Sequence, residues 1–285
     1  MAADVREREL AAAVPLLAQV VATVSVLTGL AMAGAGATGH AFGPWASPDP
    51  LGPAMIGAGM LGVAPGLLAL SRARSWPEAR TLTLSTAIVL LGLFAVTLLN
   101  AGSLHLARGG SVVLVLFSLG WLGVTGLLAL LTVVALAAQY RKRPTPVAAL
   151  EVPAVPLPAL AKPALALLGS AWFGIGAGLL ALPGFWGAFV PWEVSRADAQ
   201  ALGVWALALG AGVLASLAED DLARLRPALL ALPGVAVATG LLLAARAAHV
   251  HWSTGPALAL LAMTAGLLVA GLTGRLLLRR PASAT

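Results

Sequence analysis

Cysteine is absent from this chain, which excludes disulfides, cysteine-ligated zinc, iron–sulfur clusters and covalently attached haem. Charge is scarce, with ten per cent of residues charged and only two lysines, Lys142 and Lys162. No Asp, Glu, Lys or His falls in the middle of a long apolar run, where proton-coupled transporters and pumps keep an ionisable relay. No hydrolase elbow, phosphate loop or dinucleotide fingerprint appears in a strand–turn–helix context. Catalysis is not indicated, and the chain reads as a non-enzyme.

What fills the sequence instead is apolar: 60% hydrophobic residues and a mean hydropathy of +0.95 over 285 residues. A soluble domain cannot hide this much apolar surface, whereas a bilayer accepts it. Eight runs, at about 14–36, 52–70, 81–101, 111–138, 164–182, 198–217, 228–247 and 256–278, are long enough to cross hydrocarbon. A signal peptide competes for the first run, since Ala33-Gly34-Ala35 is small enough for cleavage. Its apolar region is too long for one, and we read it as a span. Membrane barrels alternate polar and apolar residues over ~10 positions. Backbone groups in lipid must pair internally, so all eight runs are predicted as helices.

The net charge of +6 is not a nucleic-acid footprint, because the cations lie between apolar runs. With both termini on one side, that side gathers Arg6, Arg8, Arg72, Arg74, Arg80, Arg141, Lys142, Arg143, Lys162, Arg224, Arg226, Arg275, Arg279 and Arg280, leaving Arg108, Arg196 and Arg246 opposite. Fourteen against three puts both termini in the cytoplasm. The abundance of Ala, Gly, Leu and Arg over Lys fits a high-GC bacterial genome, hence a bacterial plasma membrane.

Phe42-Gly43-Pro44-Trp45 returns 147 residues later as Phe189-Val190-Pro191-Trp192, and Gly29 recurs at the same offset as Gly176. His105 with Gly109 recurs 146 residues later as His251 with Gly255. A constant offset over so long a stretch points to internal duplication. The predicted architecture is all-α and polytopic, with two four-helix repeats at 1–138 and 164–285 joined by a proline-rich cytoplasmic linker at 139–163. An even number of spans per repeat gives both the same orientation, related by an axis along the membrane normal.

The end opposite the cations gathers both Pro-Trp turns, and Pro stops a helix while Trp favours the headgroup interface. We expect Trp45 and Trp192 to wall an outer vestibule between the repeats, with Glu193, Asp198 and Arg246 as its polar groups. Arg246 can pair with Glu193 or Asp198, or snorkel to the interface. His105 and His251 occupy equivalent positions, so an alternative is a redox subunit holding b-type haem between two imidazoles. His40 and His249 lack counterparts, and His249-Val250-His251 offers zinc no third ligand, so no metal site is expected. Thr23, Ser25, Thr28, Thr83, Ser85, Thr86, Thr97, Thr125, Ser170 and Thr239 lie within spans, where hydroxyls can bond their own helix carbonyls. Pro65 and the pair Pro233-Gly234 are candidate kinks. Glu219-Asp220-Asp221, beside Arg224 and Arg226, reads as a solvated loop.

Phe189-Val190-Pro191-Trp192, followed by Glu219-Asp220, Arg224, Arg226 and Pro227, resembles bacterial membrane proteins built from four-helix units with an aromatic-x-Pro-Trp turn. The first repeat shares this loosely, with Trp76-Pro77-Glu78 where the second has its acidic cluster. The resemblance implies the architecture and carries no activity. Function is therefore expected to be carriage of a small solute or lipid, or service as an accessory subunit among other membrane subunits, with membrane lipids as partners. A carrier should be hollow between the repeats near mid-membrane, and an accessory subunit packed solid.

Overall fold

A computed structural model describes residues 9–142 and 155–279, so part of the linker lies outside the described residues. Eight long helices carry the chain: α1 (Ala13–Ala37), α2 (Leu51–Leu70), α3 (Trp76–Leu99), α4 (Val112–Arg141), α5 (Ala161–Ala181), α6 (Arg196–Glu219), α7 (Arg226–Ala245) and α8 (Gly255–Arg279). Each is long and apolar enough to cross a membrane, and the protein is a multi-pass integral membrane protein. Among the described residues the only β features are two isolated bridges, Glu9 with Ser75 and Trp45 with Leu104.

Helix starts follow local chemistry. The α3 helix begins five residues before the apolar run, because Pro77 suits a first helical turn and Glu78 faces the positive end of the helix dipole. The α6 helix opens with a capping box in which Ser195 and Asp198 satisfy each other's backbone N–H groups. Neither Pro65 nor Pro233 ends its helix.

Burial identifies the organising element. In its most apolar window α2 is 67% buried and α5 only 17%, so α2 is central and α5 peripheral. The α1 helix packs along α2, as α5 does along α6; α7 packs on α2, and α3 on α6; α4 covers α3, and α8 covers α7. The third helix of each half therefore lies on the second helix of the other half. The crossings are glycine-mediated. A Cβ on Gly29 would lie 2.8 Å from the Gly57 carbonyl oxygen, and one on Gly203 3.0 Å from that of Gly176. Without hydrophobic drive between helices in lipid, such close backbone approach is what packing rewards. The α2–α7 crossing is equally close: a Cβ on Gly62 would lie 2.7 Å from the Gly234 carbonyl carbon. Pro233-Gly234 is thus a helix-crossing device, with Pro233 seated against Gly271.

One end of the bundle holds both Pro-Trp turns and is termed here the Trp end. The other holds most of the described Lys and Arg and is the basic end. At the Trp end the His105 N–H donates to the Pro44 carbonyl at 3.1 Å, and the His251 N–H donates to that of Pro191 at 3.2 Å.

Candidate functional site

At the Trp end the structure replaces an open hollow with a packed plug. Trp45 is 1% exposed and Trp192 5%, so neither ring faces an open vestibule. Trp192 packs among Leu51, Leu243 and Val250, and Trp45 is held by Asp198, which is fully buried at the start of α6. Its Oδ1 accepts from Trp45 Nε1 at 2.8 Å and from Ser47 Oγ at 2.8 Å. Its Oδ2 accepts from Ser195 N at 3.1 Å and from Ser195 Oγ at 2.7 Å. Four donors satisfy a group that could not otherwise be buried. The side chain presses on Gly52, where a Cβ would lie 2.8 Å from the Asp198 Cγ. Beside it Asn100 Nδ2 donates to Gln200 Oε1 at 2.8 Å, a second buried link from the first half to the second.

The other expected site residues are not drawn into this cluster. Glu193 is exposed. Arg246 makes no ion pair with Glu193 or Asp198; its guanidinium lies against Gly39, at the exit of α1, and its Nε is buried without a hydrogen-bond partner. Gly39 has φ +87°, so only glycine sits there without backbone strain. His105 is half-buried and His251 exposed, each fixed by its backbone to its own Pro-Trp turn.

The basic end carries a second correction. Glu219-Asp220-Asp221 is a clamp, not a solvated loop. Glu219, with only 3% of its side chain exposed, pairs with Arg80 of α3 and with Arg224. Asp220 accepts from Lys162 at 2.6 Å and from the Leu157 N–H at 3.1 Å. The Lys162 hydrogen bond, aided by the Leu157 N–H, holds the Asp220 carboxyl below the usual carboxylate range. Asp221 accepts from the Val155 N–H at 3.1 Å and forms an ion pair with Arg224 at 3.2 Å. The described end of the linker is thereby tied to the α6–α7 turn.

Between the two ends lies the feature that could hold a ligand, a cavity of about 1450 Å³ lined from all eight helices. Pockets for drug-sized ligands are smaller, about 300–1,000 Å³. Its walls pair residues 146 apart: Val113, Leu116, Phe117, Gly120 and Val124 on α4, against Ala259, Ala262, Met263, Gly266 and Ala270 on α8. The second set is smaller side chain for side chain, except where glycine matches glycine. Leu27, Leu116 and Leu167 also line it and are 66%, 61% and 74% exposed, so the cavity communicates with the lipid-facing surface. Among the described residues no charged side chain lines it, and none of Trp45, Trp192, Glu193, Asp198, Arg246, His105 or His251 does.

Polarity inside the cavity comes from hydroxyls, and they divide into two kinds. Ser85, Thr86 and Thr125 donate to Thr81, Leu82 and Trp121 carbonyls of their own helices at 3.1, 2.7 and 2.7 Å. Ser25, 4% exposed, Thr28 and Thr81 make no such bond. Trp205 forms part of the wall and stacks on Gly59, where a Cβ would lie 3.1 Å from its ring. Its indole N–H is buried without a partner.

No family model, curated protein or solved structure matches this chain. Two of the residues that matter most were within reach of sequence reasoning. Ser195-x-x-Asp198 before an apolar run is a capping-box pattern that places Asp198 in a helix's first turn. Nothing marked Gln200, whose partner lies a hundred residues away.

Proposed function

We propose that this protein is a membrane carrier that takes an apolar molecule, a lipid or a small lipophilic solute, from the bilayer into the cavity between its halves. The observation that carries this reading is the cavity itself: about 1450 Å³, at membrane depth, without a charged wall residue among the described residues and communicating with the lipid-facing surface. A solid interior was the expectation for an accessory subunit. Ions and strongly polar solutes need charged or carbonyl-rich walls, which this lining lacks.

In this reading the halves are duplicated four-helix units of the same orientation, related by a two-fold axis along the membrane normal. Support comes from packing at equivalent positions: Gly29 on Gly57 and Gly176 on Gly203, and the paired bonds from His105 to Pro44 and from His251 to Pro191. The cation bias puts the basic end in the cytoplasm of a bacterium, with the Trp end outside.

A lipid carrying a photoactivatable group in its acyl chain tests the reading. Reconstituted protein should be labelled at cavity residues such as Thr86, Leu90 and Ala262. Gly120→Phe should suppress that labelling, because a Cβ there meets nothing within 4 Å and the ring can enter the cavity. Labelling confined to outward-facing leucines such as Leu30, Leu99 and Leu241 refutes it.

A further inference from the structure

Selectivity is a problem for any apolar cavity inside a bilayer. Moving a hydrocarbon chain from lipid into such a cavity exchanges one apolar surrounding for another, so burial alone favours no ligand over bulk lipid. Discrimination must come from shape and from polar groups, whose bonds water does not weaken at this depth.

Hydroxyls on membrane helices ordinarily bond a carbonyl one turn back, and in this cavity Ser85, Thr86 and Thr125 do so. Ser25 departs from that habit. It is 4% exposed, lines the cavity and makes no hydrogen bond, and Thr28, one turn further along the same face of α1, also lines the cavity and is unbonded. The one other unbonded cavity hydroxyl among the described residues, Thr81, lies in the second turn of α3, near the basic end. The Ser25 residue is buried but its Oγ keeps accessible surface; an unbonded hydroxyl in an apolar space is costly, and the cavity is where a partner can approach.

Depth narrows the choice. Ser25 is the middle residue of the 25-residue α1, so at 1.5 Å per residue it lies about 18 Å from either helix end. With a hydrocarbon core of about 30 Å, phospholipid ester groups sit roughly 15 Å from that level. A phospholipid in ordinary register cannot bring its ester oxygens to Ser25. A neutral lipid that resides among the chains can bring a carbonyl there.

We infer that Ser25 and Thr28 form the polar contact of a binding site for a neutral, carbonyl-bearing lipid, such as a quinone or a long-chain ester, in the cavity between the halves. The inference rests on the carrier reading and adds to it the ligand's chemistry and the residues that recognise it. Ser25 and Thr28 donate to the carbonyl oxygen, while Trp205, Phe117 and the apolar walls hold the tail.

The test is native mass spectrometry of the full chain titrated with three probes: a decyl-tailed quinone, ethyl palmitate and hexadecane. Wild-type protein should bind at least one carbonyl probe more tightly than hexadecane, and which of the two identifies the source of the carbonyl. Ser25→Ala combined with Thr28→Val should weaken that probe roughly three- to tenfold, as membrane hydrogen bonds of ordinary strength imply, and leave hexadecane unchanged. Thr132→Val is the control: Thr132 lies on α4 outside this cavity, and its hydroxyl donates to the Leu128 carbonyl of its own helix at 2.7 Å, so its affinities should stay at wild type. Hexadecane binding by each variant reports that the cavity is intact. Equal binding of all three probes, or equal weakening of all three in the double variant, overturns the assignment of Ser25 and Thr28 while the carrier reading stands. If no probe binds wild-type protein, both fall.

Discussion

Replacing Asp198 should unlock the Trp end, and the structure gives the size of the effect. Asp198→Ala removes the acceptor for Trp45 Nε1, Ser47 Oγ and both donors of Ser195. The Trp45 N–H is then left buried and unpaired, at about 1–3 kcal/mol. Loss of the capping box adds about 1 kcal/mol, and the space left against Gly52 adds a cavity term. The sum is about 3–5 kcal/mol, or a fall in melting temperature on the order of 10 °C by the scaling for domains of this size. Asp198→Asn keeps the shape and one acceptor oxygen but turns an N–H toward the Ser195 donors, so about half that loss is expected. Thermal unfolding in detergent, followed by near-ultraviolet circular dichroism, reads both the stability and the fixed environment of Trp45. If Asp198→Ala melts within about 2 °C of wild type, the cluster does not hold the two halves together and the reasoning fails.

The helix crossings make a paired prediction. Gly62→Ala should cost about 1–3 kcal/mol by overpacking, since its Cβ would lie 2.7 Å from the Gly234 backbone, whereas Gly174→Ala, with nothing within 4 Å, should be neutral or stabilising; thermal melts of the two compare them directly. At the basic end, the lowered Asp220 carboxyl binds its proton at lower pH when folded than when unfolded. Its contribution is therefore full above the ordinary aspartate value of about 3.9 and is lost as pH falls through the depressed one. Lys162→Met should shrink the drop in melting temperature between neutral and strongly acidic pH, and an undiminished drop counts against the clamp. For orientation, a single cysteine at Ser75, between α2 and α3, should resist an impermeant thiol reagent in intact cells and react after lysis; reaction in intact cells reverses the topology.

The spans were legible because an apolar run of this length has few alternatives in lipid. Their starts were less so. Arg80 and Glu78 made residues 76–80 look like loop, yet Arg80 is satisfied by Glu219 at the far end of α6, and the helix extends through it. Trp45 and Asp198 were both expected near helix ends, but their burial depends on each other across 153 residues. A local reading sees two surface residues where the fold makes one buried bond. The acidic cluster failed for the same reason, since its partners Val155, Leu157, Lys162 and Arg80 come from elsewhere in the chain. The cavity left no comparable trace, because it is set by the distance between helices. Only the run of small residues on α8, from Ala259 to Gly274, marks where side chains fail to fill the space.

The central claim is that a lipid-accessible, water-poor space lies between the halves. Spin labelling of Thr86→Cys in the cysteine-free chain measures it, with molecular oxygen as the apolar collider and a nickel chelate as the polar one. The account predicts frequent collisions with oxygen, approaching those of a label at lipid-facing Leu30, and few with the chelate. Collisions with neither would mean a solid interior, and frequent collisions with the chelate would mean a water-filled path; either result contradicts it.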